Sequence, residues 1–224
     1  MKTHAIVTGA AGVLGQAVTQ ALVAAGYRVT GIDRAADAGS TGPNAYLGGV
    51  DLSDPAAAAK AIDQAIGANG PVVALVNVAG TFRWETVADG DVATWATMFD
   101  INLRTAVNAV RAALPSLREG GGAIVSIGAA SAVKAAAGMG AYAASKAGIA
   151  KLTEALADEE KDNGVRVNAV LPSIIDTPAN RSDMAGADFS RWVSPAQVAS
   201  VIAFLLSDSA AAVTGACIPV TGRC

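Results

Sequence analysis

Histidine is nearly missing from this chain, with His4 the only one in 224 residues. One imidazole excludes a His-based zinc site and a Ser-His-Asp triad, and its place at the head of an apolar run points to a structural role. Cysteine is almost as scarce. Cys217 and Cys224 lie close together near the end, without metal-ligand spacing, so the chain reads as a reduced, cytoplasmic protein with no metal. Aromatic residues make up only 4% against 52% hydrophobic residues overall, so the core must rest on Ala, Val, Leu and Ile. The net charge is −3 and no basic run occurs, which argues against a nucleic-acid surface. Formal charge is absent from Thr3 to Tyr27, and Lys2 precedes that stretch, as in a signal peptide. However, Gln16, Thr19 and Gln20 interrupt it, and Gly9, Gly12 and Gly15 fall where a leader needs an unbroken apolar segment. The expectation is therefore a chain outside the membrane.

Short apolar runs alternate with longer helical patterns along the whole length. Strands are expected at Ala5–Thr8, Arg28–Asp33, Ala45–Val50, Val72–Asn77, Ala123–Ile127, Val165–Val170 and Ala216–Val220. Helices are expected at about Val13–Ala25, after the Asp54-Pro55 cap, over Val92–Leu117 as mostly one long helix that Pro115 bends or ends, and at Gly140–Lys161 and Pro195–Leu206. Such alternation predicts an α/β fold, a doubly wound parallel sheet of about seven strands (a Rossmann fold) with helices on both faces. It reads as one domain over residues 1–224, with no repeat and no linker. Pro172–Ser194 has the weakest pattern and reads as a loop over a site.

Two motifs carry the chemistry. In Thr8-Gly9-Ala10-Ala11-Gly12-Val13-Leu14-Gly15 the glycines stand between a strand and a helix, where they permit a tight turn and close approach of a dinucleotide pyrophosphate. In Tyr142-Ala143-Ala144-Ser145-Lys146 the tyrosine and lysine lie four apart on one helix face. An ammonium there is expected to lower the phenol's pKa and fit it to pass a proton to a carbonyl oxygen. Asp33, ending the second strand, would bond the adenosine ribose hydroxyls and repel a 2′-phosphate, which favours NAD over NADP. Arg34 beside it is either a solvated charge or a partner for that phosphate, so NADP stays possible.

The order of these motifs over essentially the whole chain resembles the short-chain dehydrogenase/reductase family. The resemblance implies a nicotinamide-dependent oxidoreductase acting on a small molecule, with Tyr142 as proton donor and Lys146 lowering its pKa and holding the nicotinamide ribose. It implies that Gly9, Gly12, Val13, Leu14 and Gly15 hold the dinucleotide, and that Asp51-Leu52 meets the adenine. Asn77, Ala79 and Gly80 fall on the family's Asn-Asn-Ala-Gly, with Val78 replacing the second Asn. Asn102 matches the asparagine that sustains a proton relay to Lys146. Pro172, Ile175 and Thr177 match the segment that holds the nicotinamide carboxamide, with Ser173 where glycine is usual.

Two departures narrow the resemblance. The glycine spacing, Gly-x-x-Gly-x-x-Gly, is that of the longer epimerase-like branch rather than of the usual short members. The family's catalytic serine stands 13 residues before the tyrosine, and Ala129 occupies that place here. Ser131 is the nearest substitute, with Ser126 the other flanking serine. An alanine at that position, the glycine spacing and the short chain also resemble the dihydropteridine reductase branch, with Trp84 near that branch's stacking tryptophan, as well as the ketoacyl-reductase-like members. A readily reduced carbonyl or quinonoid substrate fits a site without the serine. Phe82, Trp84, Met139, Ile174 and Trp192 are candidate pocket walls. The family expectation for assembly is a homo-oligomer, a dimer or tetramer. A cofactor-binding sensor without turnover, and an epimerase or dehydratase with retained NAD, remain alternatives.

Overall fold

The run His4–Thr8 is buried along its whole length, as a continuous apolar strand covered on both faces should be. It forms β1, and the computed structural model, which describes residues 4–37 and 43–224, builds the remaining strands around it. These are β2 (Arg28–Ile32), β3 (Ala45–Leu47), β4 (Val72–Asn77), β5 (Gly122–Ile127), β6 (Val165–Pro172) and β7 (Cys217–Val220). All pair in parallel in the order β3-β2-β1-β4-β5-β6-β7. The helices are α1 (Val13–Ala24), α2 (Pro55–Asn69), α3 (Val92–Phe99), α4 (Thr105–Gly120), α5 (Gly140–Glu160), α6 (Pro178–Asp183) and α7 (Pro195–Leu205). The sheet is doubly wound, as expected. Lys2 and Thr3, which gave the amino terminus its leader-like outline, lie outside the described residues. Among the described residues no helix is long and apolar enough to cross a membrane.

Alternation along the strands divides the core into two layers. Ala5 and Val7 of β1 pack with Leu14, Val18 and Leu22 of α1 and with Val198, Ile202 and Leu205 of α7. Ile6 points the other way, into a layer with Ile62 of α2 and Val110 and Leu117 of α4. Several helices start where side chains satisfy their free N–H groups. Asp54, Asp91 and Thr177 accept from the first turns of α2, α3 and α6, and Ser194 forms a capping box with Gln197 at α7. Pro55, Pro178 and Pro195 occupy the first helical positions.

Several boundaries differ from the sequence reading. The expected long helix over 92–117 is three pieces, with a π-helical turn at Asp100–Arg104 between α3 and α4. Pro115 does not end it, because Ala113, Ser116 and Leu117 are buried and hold α4 on the sheet across the proline. β3 stops at Leu47 because Gly48 packs against the Ala35 and Ala36 backbone and Gly49 turns with φ +72. The expected loop over 172–194 contains α6, a 3-10 turn at Phe189–Arg191 and a bridge between Ile175 and Val193.

His4 is fully buried, and its partners fix its tautomer. Its Nδ1–H donates to the Gly70 carbonyl at 2.9 Å, which leaves Nε2 to accept the Thr30 hydroxyl at 2.8 Å. Burial holds the imidazole below its usual pKa of 6.5, with the Gly70 bond opposing and Arg28 assisting. The unfolded chain therefore takes up the proton more readily than the folded one. The stability this contributes is present above pH 6.5 and is lost as pH falls through the folded value. Urea midpoints should drop between pH 7.5 and 5.5 in the wild type, and the drop should be smaller in His4→Gln.

Candidate active site

Because chain connections leave β1 and β4 in opposite directions, the strand order reverses between them, and a crevice opens at their carboxyl ends. A cleft of about 670 Å³ lies there. Its near wall is the glycine loop. Gly9 has φ +65, and a Cβ on it would lie 2.7 Å from the Ala79 nitrogen, so only glycine fits between the ends of β1 and β4. A Cβ on Gly15 would lie 2.0 Å from the Gly9 carbonyl oxygen, which makes it the packing glycine of the loop. At Gly12 the nearest atom would be that same oxygen at 3.4 Å, an ordinary contact, and the residue faces the cleft. Gly12 also begins α1 without a side-chain cap, so the first N–H groups of that helix are free to meet an anion.

Asp33 follows β2 and joins two sides of the cleft. Its Oδ2 accepts from the Ala11 N–H and its Oδ1 from the Ala35 N–H, both at 2.9 Å. Arg34 lines the cleft beside it and is solvent-exposed. Asp51 and Leu52 line it after β3. The Ser53 hydroxyl and N–H donate to Asp51 and hold its carboxyl below the usual carboxylate range.

The opposite wall begins where the Thr8 hydroxyl oxygen accepts the Val78 and Ala79 N–H groups at 3.1 and 3.2 Å. Ala79 and Gly80 line the cleft, whereas Asn77 does not. The Asn77 amide donates to Ser126 Oγ at 3.1 Å inside the sheet, and its Oδ1 is buried with no partner. Asn102 sits in the π-helical turn with both ends of its side chain engaged. Oδ1 accepts from the Thr81 N–H at 2.7 Å and Nδ2 donates to Ser145 Oγ at 3.0 Å. It therefore ties the strand-end segment to α5, and Gly80 leaves room for it. A Cβ on Gly80 would lie 3.0 Å from Asn102 Oδ1 and 3.1 Å from Lys146 Nζ.

Tyr142 and Lys146 both line the cleft from α5. Lys146 is buried and its Nζ donates to the Ile127 carbonyl at the end of β5, 2.8 Å away. Burial lowers its pKa from 10.5 to about 8 and raises that of Tyr142 from 10.0 to about 12. The expected lowering of the phenol's pKa by the ammonium is thus not what this arrangement gives. Desolvation outweighs the effect, and the ammonium is drawn to the Ile127 carbonyl. Phe82 packs against Tyr142 with ring centroids 5.0 Å apart and planes at 86°.

The other expected site residues are less uniform. Ile175 and Thr177 line the cleft, and the Thr177 hydroxyl caps α6 by accepting from Asn180 at 3.2 Å. Pro172 ends β6 and is not part of the lining. Ser131 lies in a 3-10 turn with its hydroxyl buried and unpartnered, outside the lining. Ala129, where the family serine stands, is buried. Of the suggested walls only Phe82 borders the cleft, and Trp192 instead packs on Phe189 with centroids 4.7 Å apart. Val50, Ile127 and Thr105 line the cleft without having been singled out. The first two stand at or just beyond strand ends and Thr105 lies one helical turn after Asn102, which are signals the sequence already contained.

These residues fit a dinucleotide. A helix start with free N–H groups, a glycine exposing no Cβ, a carboxylate beyond β2 and small residues at 79 and 80 line one continuous crevice.

The fold and crevice define a dinucleotide-binding α/β protein. The family profile described as short chain dehydrogenase matches residues 3–187, and the chain belongs to that family, the short-chain dehydrogenases/reductases. It is 33% identical to an acetoacetyl-CoA reductase of Acinetobacter sp. (strain RA3849), over 97% of this chain and 96% of that protein. It is 34% identical to 2-(S)-hydroxypropyl-CoM dehydrogenase 3 of Xanthobacter autotrophicus (strain ATCC BAA-1158 / Py2), over 96% and 94%. The solved structure of Thermoplasma acidophilum aldohexose dehydrogenase superposes with a TM-score of 0.92 at 28% identity, over 99% of this chain and 93% of that one. The protein is thus an enzyme of an oxidoreductase family that takes a nicotinamide cofactor, NAD or NADP.

Gly15 and Gly12 should separate by phenotype. Gly15→Ala should unfold the loop, lowering the thermal midpoint by several degrees or more. Gly12→Ala should leave that midpoint within about a degree, as for substitutions without a steric conflict, yet weaken NADH binding measured by fluorescence titration.

Proposed function

We propose that the protein reduces a small carbonyl compound, or oxidises the corresponding alcohol, with NAD(H) preferred over NADP(H). The observation that carries this reading is the pairing of Tyr142 and Lys146 in the same crevice as the glycine loop. The nicotinamide, when bound, supplies or accepts the hydride. The chain's residues do the rest. Gly9, Gly12, Val13, Leu14 and Gly15 bind the pyrophosphate, Asp51 and Leu52 border the adenine, and Ile175 and Thr177 flank the nicotinamide end, with Pro172 behind them at the end of β6. Asp33 is ready to accept from ribose hydroxyls and disfavours a 2′-phosphate, while Arg34 is the residue that would moderate this preference.

In the reductive direction the Tyr142 hydroxyl donates its proton to the substrate oxygen. With a pKa of about 12 the phenol remains protonated throughout the neutral range, so the acid is always loaded. Lys146, still an ammonium below about pH 8, places positive charge beside Gly80 and offers hydrogen bonds to a ribose hydroxyl. Asn102 positions the segment bearing Gly80 and Thr81 against α5. The similarity to an acetoacetyl-CoA reductase and to a 2-(S)-hydroxypropyl-CoM dehydrogenase supports the carbonyl–alcohol chemistry.

Ala129 favours a second reading. Without a hydroxyl at that position, and with Ser131 outside the cleft lining, the oxygen of a poorly electrophilic ketone has one donor fewer. The substrate is then an activated carbonyl, or the protein binds cofactor without turnover.

Tyr142→Phe should lower kcat for NADH-linked reduction on the order of 10²–10⁴-fold with NADH affinity retained. In the wild type, kcat/KM for reduction should be level in the neutral range and fall as pH rises through about 8, where Lys146 loses its charge. Asp33→Ser should narrow the preference for NADH over NADPH in direct binding titrations.

A further inference from the structure

The chain is 4% aromatic, yet Phe82 and Tyr142 meet at the crevice, and Trp84 and Trp95 pack at Gly138 and Gly140, just before Tyr142. Phe82 and Trp84 stand on the segment between β4 and α3 and are 52% and 61% exposed, unusual values for large aromatic residues. They are also held in place. Trp84 Nε1 donates to the Ala137 carbonyl at 3.0 Å, and the Glu85 N–H donates to the Gly138 carbonyl at 2.8 Å. The indole lies directly on Gly138, which has φ +74 and where a Cβ would fall 2.1 Å from the ring. At the segment's far end Glu85 Oε1 accepts from the Asp91 N–H at 2.7 Å, closing it before α3. The strap therefore spans from the end of β4 to the segment preceding α5, and its anchors, Ala137 and Gly138, stand five and four residues before Tyr142.

Phe82 is the strap residue that reaches the reacting group. Its ring meets that of Tyr142 edge to face, it borders the cleft, and more than half of it still faces outward. Beyond it the apolar surface continues. A Cβ on Gly140 would lie 3.4 Å from the Trp95 ring and 3.8 Å from Val87, and Val87 is itself 76% exposed. A carbonyl compound that reaches Tyr142 through the cleft has the half-exposed Phe82 ring beside it.

We propose that Phe82 is a specificity-determining residue that selects carbonyl compounds whose carbonyl is joined to a flat aromatic or conjugated ring, and that Trp84 is a positioning residue that locks the strap bearing it. This rests on Tyr142 as the proton donor. The exposed part of Phe82 gives such a ring an aromatic partner in stacked or edge-on geometry, which a short aliphatic ketone cannot exploit. The same ring helps exclude water from Tyr142, in keeping with the buried phenol.

The test measures equilibrium binding in a Tyr142→Phe background, which keeps a ring at position 142 and removes the proton donor. With saturating NADH, affinities for acetophenone and for 2-butanone are measured by calorimetry. Phe82→Ala and Phe82→Leu should each weaken acetophenone roughly three- to tenfold while leaving 2-butanone within about twofold, and Phe82→Trp should restore acetophenone. Trp84→Ala should weaken acetophenone with Phe82 still present. Failure of acetophenone to bind, an equal loss for both ketones, or no change in either would overturn the proposal. Thermal midpoints of each variant separate these results from unfolding, with the leucine variant serving if the alanine one is unstable. Turnover of acetophenone by the wild type is scored separately. Binding that depends on Phe82 without turnover would sink the reductase reading and leave the aromatic wall standing.

Discussion

The junction of β1 with β4 is the constraint on which the rest of the site depends. The Thr8 hydroxyl gathers the N–H groups of Val78 and Ala79, and Gly9 turns beside them where no Cβ fits. Two chain segments 70 residues apart are thereby brought to backbone contact at the point where the strand order reverses. On one side stands the free start of α1, and on the other Gly80 opens toward Lys146 and Asn102. A larger residue at position 9 would separate the glycine-loop side of the crevice from the side that carries Tyr142 and Lys146, although neither Tyr142 nor Asp33 would have changed.

Burial sets the character of the Tyr142–Lys146 pair. Both side chains are pushed toward their neutral forms, the phenol by staying protonated and the ammonium by becoming easier to deprotonate. The Ile127 carbonyl and the strut formed by Asn102 and Ser145 fix the pair on the sheet side, while Phe82 covers the outer side. The tyrosine is thus a loaded but reluctant acid. Such an acid suits a substrate whose oxygen becomes strongly basic as it is reduced.

The fold was legible where physical signals are repetitive. Seven apolar runs separated by helical patterns gave the parallel sheet, and Asp54-Pro55 marked the start of α2. Errors fell where a local geometry has no periodic signature. The π-helical turn at Asp100–Arg104 shares its residue types with the helices on either side, and α6 is too short to display a period. At the site, Gly9, Gly12, Asp33, Tyr142 and Lys146 could be assigned to one crevice from their motifs, the expected fold and the family resemblance together, and all five line it. The direction of the tyrosine's shift could not, because a close charge is visible in a four-residue spacing whereas desolvation depends on packing from distant parts of the chain, Phe82 among them. Ser131 shows the same limit from the other side. Being near Tyr142 in sequence did not bring its hydroxyl to the cleft.

The central claim is that the crevice passes a hydride between a nicotinamide and a carbonyl carbon while Tyr142 handles the proton. The most direct measurement is to incubate the protein with NADH deuterated at the transferable position of C4 and with acetophenone or an acetoacetyl thioester, then to locate the label by mass spectrometry. Deuterium on the carbinol carbon of the product, absent when Tyr142→Phe replaces the wild type, is the expected result. Unlabelled alcohol, or labelled alcohol formed equally well by the variant, would contradict it.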